Sequence, residues 1–499
     1  LTFAGRAMKK LRSYLSLLAG PLAALFIWIF TDLDPANPLT TRMAGIAVWM
    51  SIWWITEAVN LAVTALLPLV LLPLMKIAPA DAVAPQYTDS IIFLFVGGFM
   101  LAFAIEKWGL HKRIALKILS LIGSSPNKIL FGVMLSSYLI SNWISNTATT
   151  IMLLSAVLSL ISVVENHLPE EKQKNNFAAA LLLGLAFSAT IGGMATPVGT
   201  PPNMFFFKEY HKTFSEQNDL NFLTWAKIGF PLSFTFLLLT FYVLRKYYLA
   251  SIKLNFDKKF FREQLTTIGK PIPEEKIIGF IFMACVLLWF TREKIEIGNF
   301  NFSGWGNIFG DLISNGKPIK IVSDATVAVT AAILLFLIPS VSKRGEKILE
   351  WEDAKKLRYD IILMFGGGFA LAYGFKEAGL DKWLADSLFI LKGTHPVILC
   401  IFICLVICII SEFASNIASI QLAMPVMLAL QPKLGIHPLL LMIPATFAAS
   451  LGFILPVATA ANTIVFGTKR IFTRDMFYIG LILDLAGILL ITLFTFLLL

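Results

Sequence analysis

Charged residues are scarce in this chain of 499 residues: they make up 14% of it, whereas 57% of the residues are hydrophobic. The mean hydropathy is +0.77, which excludes an ordinary soluble multidomain protein. Apolar blocks of about 17 to 25 residues, the length of a bilayer-crossing helix, recur from Leu15 to the last residue. The composition therefore predicts an all-α polytopic membrane protein.

Cysteine and histidine are also rare. Three of the four cysteines, Cys400, Cys404 and Cys408, follow one another at intervals of four residues, and no histidine shares that spacing. Small apolar packing is a better interpretation of this stripe than a metal site. The five histidines fall in loops or at the ends of apolar blocks: His111, His167, His211, His395 and His437. An intramembrane enzyme would need a nucleophile and base or a metal triad at membrane depth, so we predict that the protein is not an enzyme.

The net charge of +10 comes from basic residues that cluster in particular loops. These clusters are Lys9 to Arg12, Arg245 to Lys276, Lys343 to Arg358, and Lys469 to Arg474. Under the positive-inside rule they lie in the cytoplasm, and they imply no nucleic-acid partner. We predict a multi-pass protein of the inner cell membrane with a cytoplasmic N-terminus, an external C-terminus, and a basic cytoplasmic linker at 247–276.

A run of hydroxyls and amides, Ser141 to Thr150, lies between two apolar segments and occurs a second time, 270 positions later, at Ser411 to Ile420. The matched positions are Ser141, Ser145, Asn146 and Ala148 in the first copy and Ser411, Ser415, Asn416 and Ala418 in the second. Polar groups at membrane depth are costly. Two copies at corresponding positions therefore indicate a functional site.

Each copy is expected at the tip of a re-entrant hairpin, 126–164 in the first half and 396–430 in the second, because charged segments flank both hairpins. A broken helix follows each hairpin, at 177–207 and 439–466. Two glycines and three prolines from Gly193 onward cannot all lie in one unbroken helix.

The two halves form repeats, 42–246 and 277–499, after an N-terminal segment and first span at 1–41. At an offset of 259, four residues of the first broken helix match four of the second: Gly193, Pro197, Thr200 and Asn203 match Gly452, Pro456, Thr459 and Asn462. We predict about eleven transmembrane helices plus two re-entrant hairpins. Five crossings per repeat make the repeats inverted, which is typical of secondary transporters. An anion channel would need a continuous polar pore instead of two opposed hairpins.

The polar residues offer hard oxygen ligands for a small cation and helix N-termini for an anion. Neither motif contains Lys or Arg, so an anionic substrate would need bound cations to neutralise it. The alternative is that these residues only join transmembrane helices. Glu412 has two interpretations, a proton relay or a local cap, and the absence of an acid at the matching Asn142 favours the structural role.

At these motifs the sequence resembles the divalent anion/sodium symporter family, which includes the INDY-type dicarboxylate carriers and sulfate carriers. The resemblance rests on the two hairpin tips, on Gly199 to Asn203 and on Ala458 to Asn462, and it extends over nearly the whole chain. It implies a homodimer in which a transport domain moves like an elevator against a scaffold domain. The scaffold would include spans 1 to 3 and 7 to 8, with a basic amphipathic linker at 253–267.

The resemblance also implies the site residues. One sodium ion would bind Ser141, Ser145, Asn146 and Gly199, and another Ser411, Ala414, Asn416 and Ala458. Substrate carboxylates would contact Asn146, Thr147, Asn416, Thr200 and Thr459. The implied function is sodium-coupled import of C4 dicarboxylates such as succinate, malate and fumarate. Ile417 and Ala460 depart from the family pattern, which allows a substrate less symmetric than succinate or looser discrimination between substrates. A sodium-independent exchanger, or a carrier of sulfate or another divalent anion, stays open as an alternative, although both sodium sites keep their side-chain oxygens.

Overall fold

The computed structural model describes residues 3–122, 125–214, 220–250, 252, 266, 268–297, 300–314, 317–387 and 392–498. Half of the linker expected at 247–276, including 253–265, lies outside the described residues, so its amphipathic character stays a prediction. The fold is helical. The strands are confined to two short antiparallel pairs in one loop, in which Ile295 lies opposite Phe302 and Asp311 opposite Lys320.

Twelve α-helices form the first half of the described chain: α1 Phe3–Phe30, α2 Pro38–Thr56, α3 Leu61–Thr64, α4 Leu67–Leu74, α5 Ala80–Val83, α6 Ser90–Lys107, α7 Leu110–Ile122, α8 Pro126–Ser141, α9 Asn146–Glu165, α10 Glu171–Gly193, α11 Pro201–Thr213 and α12 Phe222–Leu244. A 3-10 turn, Ala84–Tyr87, precedes α6, and a π-helical turn, Arg245–Leu249, follows α12.

The second half contains α13 Pro273–Thr291, β1 Ile295–Ile297, β2 Phe300–Phe302, β3 Asp311–Ser314, β4 Lys317–Lys320, α14 Asp324–Leu337, α15 Trp351–Ala354, α16 Tyr359–Glu377, α17 Leu380–Ser387, α18 Pro396–Phe413, α19 Asn416–Leu434, α20 Pro438–Ala448, α21 Ala460–Phe466 and α22 Thr473–Leu498. A 3-10 turn, Trp305–Phe309, lies between the two strand pairs.

Seven helical segments among the described residues are long and apolar enough to cross a membrane: Ala80–Lys107, Asn146–Glu165, Glu171–Gly193, Phe222–Leu249, Pro396–Phe413, Asn416–Leu434 and Thr473–Leu498. The bent pair α16 and α17 makes an eighth if it counts as one span, and four shorter apolar helices accompany them. The prediction of an all-α polytopic membrane protein is confirmed. The count of eleven crossings stays a prediction.

The order of elements in the first half recurs in the second. In each copy a long helix (α6, α16) leads into a short arm helix (α7, α17), then two helices of a hairpin, then a helix, an irregular linker, a short helix and a final long helix. The chain turns into each arm helix at a glycine with positive φ, +73° at Gly109 and +69° at Gly379. Glycine adopts this left-handed conformation without steric cost. The long helix α16 and the arm helix α17 meet at 76°.

Helix α10 lies at the centre of the first half and positions the first hairpin. Every residue from Phe177 to Gly193 is buried, as expected for a helix that is apolar on all faces. Gly192 lies against the backbone of Tyr138 in α8, where an added Cβ would come within 2.5 Å of the Tyr138 carbonyl oxygen. This close approach fixes the first hairpin tip against the end of α10.

Candidate functional site

The first hairpin tip, the polar run from Ser141 to Thr150, contains a break between two helices at residues 142–145. The Ser145 hydroxyl caps α9 by accepting a hydrogen bond from the Ala148 amide at 3.3 Å, which satisfies one free amide of the first helical turn. The Ser141 hydroxyl, at the end of α8, donates to Asn146 Oδ1 at 2.9 Å. Three of the residues predicted for the first sodium site therefore lie together.

The first linker, residues 194–200, joins α10 to α11 and contacts this tip. The Thr196 hydroxyl donates to the carbonyl oxygen of Asn142. Asn203 lies in the first turn of α11 and donates through Nδ2 to the carbonyl oxygens of Gly193, at 3.0 Å, and Thr196, at 2.8 Å. These bonds hold non-helical backbone in place inside the protein, the condition under which such backbone is tolerated at membrane depth.

Several oxygens surround Gly199, the fourth predicted ligand of the first sodium site. An added Cβ would lie 2.7 Å from the Gly193 carbonyl oxygen and 2.9 Å from that of Asn142. A Cβ on Gly193 would in turn meet Asn146 Oδ1 at 2.5 Å and the Gly199 carbonyl oxygen at 3.2 Å. Amide, hydroxyl and unwound carbonyl oxygens of this kind suit a small hard cation such as Na⁺.

The second tip repeats this geometry more loosely. The Ser411 hydroxyl lies 3.2 Å from Asn416 Oδ1 and donates to the Ala449 carbonyl at 2.8 Å. Ser415 caps α19 through the Ala418 amide at 3.2 Å. The remaining predicted ligands of the second sodium site, Ala414 and Ala458, are each 3% exposed and offer backbone carbonyls.

The second linker, residues 449–459, is held by an amide as in the first repeat and also by an acid. Asn462 Nδ2 donates to the carbonyl oxygens of Gly452, at 2.8 Å, and Leu455, at 3.3 Å. The two carboxylate oxygens of Glu412 accept hydrogen bonds from the amides of Ile454, at 2.9 Å, and Leu455, at 2.8 Å. Glu412 therefore binds the second linker locally, and the choice between its two interpretations stays a prediction.

The two repeats are interlocked around the tips. Helix α21, which follows the second linker, packs against α9 of the first hairpin, and α11, which follows the first linker, packs against α19 of the second hairpin. Arg470, beyond α21, pairs with Glu165 at the end of α9 at 2.9 Å. Each linker threonine lies beside the tip of its own repeat: a Cβ on Gly193 would meet both Asn146 Oδ1, at 2.5 Å, and Thr200 Cβ, at 3.1 Å, and a Cβ on Gly452 would meet Thr459 Cγ2 at 3.5 Å and the Ser411 carbonyl oxygen at 3.7 Å.

The residues predicted to contact substrate differ in exposure. Asn146, Thr147 and Asn416 are half-buried, whereas Thr200 and Thr459 are buried. Thr459 also caps α21, since its hydroxyl accepts from the Asn462 amide at 3.1 Å. The half-buried residues at the two tips are therefore the ones best placed to meet a ligand.

The two linkers also differ in access. The first is buried throughout residues 194–200, and the cavity beside it, lined by Ser145, Val198 and Gly199 among others, measures only about 20 Å³. In the second linker Val457 is 72% exposed. The first linker is therefore enclosed by protein, whereas part of the second linker is exposed.

A larger cavity of about 590 Å³ lies next to the first linker and contacts Pro197 and Met204. Its wall includes Lys208, whose ammonium lies 3.4 Å from the Asp89 carboxylate and 3.3 Å from the centre of the Phe369 ring. Asp89 also caps α6 through the Ile91 amide at 3.0 Å. This buried cation joins α11 to α6 and α16, and our interpretation of the sequence missed it.

Sequence reasoning also missed the roles of Thr196, Asn203 and Asn462. The two asparagines were visible as a matched pair in the repeat alignment, but nothing in the alignment indicates that they bind carbonyl oxygens at the linkers.

Residues 9–498 match the sequence model of the family described as the sodium:sulfate symporter transmembrane region. The chain belongs to this family. The predicted family is thereby confirmed, and membership of the sodium:sulfate symporter family makes the protein a transporter and not an enzyme, as expected.

Curated relatives of this family member cover nearly its whole length. The sodium-dependent dicarboxylate transporter SdcS of Staphylococcus aureus strain NCTC 8325 is 36% identical over 510 residues, covering 99% of this chain and 93% of that protein. SdcS of Staphylococcus saprophyticus is 35% identical over 489 residues, covering 96% of this chain and 89% of its own.

Two solved structures are similar in fold. MtrF of Neisseria gonorrhoeae, described with a class of antimetabolite efflux pumps, has a TM-score of 0.54 at 13% identity and covers 83% of this chain and 82% of its own. The YdaH transporter of Alcanivorax borkumensis has a TM-score of 0.52 at 12% identity, with 83% and 86% coverage. At these identities the likeness extends to the fold alone.

Proposed function

We propose that this protein is a secondary active transporter that couples the inward movement of sodium to the import of C4 dicarboxylates such as succinate, malate and fumarate. The observation that carries the proposal is the pair of oxygen clusters at the two hairpin tips, around Asn146 and Asn416. Two relatives that cover nearly the whole chain are sodium-dependent dicarboxylate transporters by name, which supports both the coupling ion and the substrate class.

In this proposal each cluster holds one sodium ion. The first ion is bound by Ser141, Ser145, Asn146 and Gly199, and the second by Ser411, Ala414, Asn416 and Ala458. At each tip two oxygen atoms lie close together, the Ser141 hydroxyl beside Asn146 Oδ1 and the Ser411 hydroxyl beside Asn416 Oδ1. This supports the assignment, because a sodium ion can bind both oxygens in place of the hydrogen bond between them. The carbonyls around Gly199 supply further oxygens.

The dicarboxylate binds between the tips, at Asn146, Thr147, Asn416, Thr200 and Thr459. Neither tip nor linker contains Lys or Arg, so the two negative charges of the substrate are balanced by the bound sodium ions and by the positive ends of α9 and α19. Sodium must therefore bind before the anion can be held. This order makes sodium coupling a consequence of the electrostatics.

We further propose that the protein is a homodimer in the inner membrane, with a cytoplasmic N-terminus and an external C-terminus, and that its transport domain moves like an elevator. The contact between Lys208 and Asp89 supports a movable interface, because α11 packs on the second hairpin while α6 packs on α14, which lies in span 8 of the expected scaffold. Phe205 of α11 stacks on Phe369 of α16 with ring centroids 4.9 Å apart in the same interface.

A cross-link across this interface tests the elevator movement. The pair Asp89→Cys and Lys208→Cys is joined by a bifunctional thiol reagent long enough to span the former ion pair. We expect uptake to stop when the link forms. A protein that carries only one of the two substitutions should be unaffected by the reagent. Full uptake by the cross-linked protein would show that the two helices do not separate during transport.

The function itself is tested by uptake of radiolabelled succinate into proteoliposomes. An inward sodium gradient is compared with an equal potassium gradient, and empty vesicles are compared with vesicles loaded with succinate. We expect uptake that needs sodium and does not need internal substrate. Competition with malate, fumarate and sulfate then measures specificity.

Two outcomes would contradict the proposal. Uptake that needs internal substrate and ignores sodium would identify an exchanger, and the sodium roles of the two tips would be withdrawn. Inhibition by sulfate and not by malate or fumarate would replace the substrate class with a tetrahedral divalent anion.

A further inference from the structure

The two repeats differ in how the second helix of each hairpin meets the long helix that precedes the hairpin. In the second repeat the Gln421 side chain of α19 is fully buried and lies against Gly368 of α16, where an added Cβ would come within 2.5 Å of Gln421 Nε2. That nitrogen donates to the Met364 carbonyl oxygen at 2.6 Å. The missing side chain at Gly368 therefore makes a notch in α16 that holds the Gln421 amide.

No described residue fills the matching notch of the first repeat. At the offset of 270 that relates the two tips, Gly368 corresponds to Gly98 of α6, and Gln421 corresponds to Ile151 of α9. An added Cβ on Gly98 would meet no atom of the described chain within 4 Å, and Ile151 is 57% exposed. In this conformation the second hairpin is therefore docked in its notch, whereas the first hairpin is not.

A second face of the same two long helices shows no such difference. Gly97 and Gly367, which also match at 270, each pack closely on the expected scaffold. An added Cβ on Gly97 would lie 2.6 Å from the carbonyl carbon of Ala328 in α14, and one on Gly367 would lie 2.5 Å from Ala65 Cβ, directly after α3. Both long helices are thus held on the scaffold in the same way, and the repeats differ at the hairpins. This is the difference expected when a hairpin bundle moves against a fixed frame.

We propose that Gln421 is a positioning residue for transport: its amide docks the second hairpin in the Gly368 notch in this conformation, and the Gly98 notch receives the first hairpin at Ile151 in the opposite one. This inference rests on the proposed function, because it supplies the two end positions of the moving domain.

The chemistry of the dock suits a contact that must form and break in each transport cycle. Gln421 contributes one neutral hydrogen bond, and within the described chain its Oε1 has no donor. A single bond of this kind changes an equilibrium by about threefold to tenfold, so it favours one conformation without trapping it. Ile151 cannot form such a bond, and the dock of the second repeat is therefore the stronger of the two.

Disulfide cross-linking tests the two docks in a protein whose four native cysteines are replaced by alanine. The pair Gly368→Cys and Gln421→Cys reports the present conformation, and the pair Gly98→Cys and Ile151→Cys reports the opposite one. We expect each pair to link, as detected by mass spectrometry of the linked peptides, and either link to stop uptake. Absence of the link between positions 98 and 151, in a variant that elutes from a sizing column like the unmodified protein, would overturn the proposal.

The rate of the link between positions 98 and 151 tests the Gln421 amide. Adding Gln421→Leu should raise this rate by about threefold to tenfold, because the hydrogen bond that holds the present conformation is lost. The control Gln431→Leu changes the same residue type in the same helix, where Nε2 donates to the Ile436 carbonyl oxygen just beyond α19 at 2.9 Å, and it should leave the rate unchanged. An unchanged rate in Gln421→Leu, or an equal rise in both variants, would overturn the positioning role.

The cross-linking result and the proposed function can fail separately. The link is measured in the absence of sodium and succinate, so its rate does not depend on either ion. Sodium-independent uptake by the unmodified protein would contradict the proposed function and leave the docking result standing.

Discussion

The two hairpin and linker units share one plan and differ in what closes it. In both units a serine at the end of the first hairpin helix contacts an asparagine at the start of the second hairpin helix. In both units an asparagine after the linker also donates to two carbonyl oxygens in or next to the linker. The first linker is further held by the Thr196 hydroxyl on Asn142. The second linker is held by the carboxylate of Glu412 and is partly open.

The comparison shows that the residues shared by the two repeats set the positions of the proposed ligands. The residues that differ between the repeats set the charge beside each tip and the exposure of each linker. Thr147 in the first tip is replaced by Ile417 in the second, and Asn142 by Glu412. In our proposal the shared residues form two similar cation sites. The substitutions would make those two sites unequal and so give the two ions different affinities.

The strongest test of the shared plan is removal of each tip asparagine. Asn146→Ala and Asn416→Ala should each lower apparent sodium affinity by roughly 10- to 100-fold, since each removes a ligand oxygen to a charged group. Sodium-stimulated succinate uptake in proteoliposomes measures the loss. Asn166→Ala, an exposed change at the far end of α9, is the matched control. Normal uptake by either tip variant would contradict that site assignment.

Replacing Asn203 and Asn462 in turn measures how much each asparagine contributes to the free energy of unfolding. Asn203→Ala should lower the free energy of unfolding by about 2 to 3 kcal/mol, because two buried carbonyls lose their donor. Asn462→Ala should cost less, since one of its two hydrogen bonds is long, at 3.3 Å. Thermal unfolding in detergent measures both, again beside Asn166→Ala. Equal destabilisation would mean that the extra length of that bond has no energetic consequence.

Exchanging the unmatched tip residues sharpens the comparison at the substrate. Ile417→Thr should tighten succinate binding by about tenfold through a new hydroxyl donor, and Thr147→Ile should weaken it by a similar factor. Competition of unlabelled succinate against radiolabelled succinate gives both affinities. If Ile417→Thr has no effect while Thr147→Ile does, the substrate contacts only the first tip.

Loss of the ion pair between Arg470 and Glu165, which joins the two repeats, should have the smallest effect on stability and uptake. Arg470→Ala breaks the contact with Glu165, in which the arginine side chain is 38% exposed. An exposed pair of this kind contributes about 0.2 to 1 kcal/mol, so unfolding should shift slightly and uptake should stay near normal. A large loss of uptake in this variant would show that the repeats are joined at this end far more strongly than the partial exposure of the pair suggests.

The sequence predicted the parts of this structure that depend on local composition. Apolar blocks became helices, and the segments rich in proline and glycine after Gly193 and Gly452 became irregular linkers. The two tips were identified because Asn146 and Asn416 are polar residues in apolar surroundings, and their cost in lipid makes them conspicuous. The contact between Ser141 and Asn146 follows from their separation across one tight break.

Only the tertiary structure decided which elements meet. That α9 packs on α21 and α11 on α19 depends on how two inverted bundles interlock, and no local pattern encodes it. Lys208 reaches Asp89 and Phe369 across long stretches of chain. The sequence by itself determined a helical membrane protein with two polar hairpin tips, because the price of polar groups in lipid is local. The partners of its buried charges depend on distances in space, which arise only when the chain is folded.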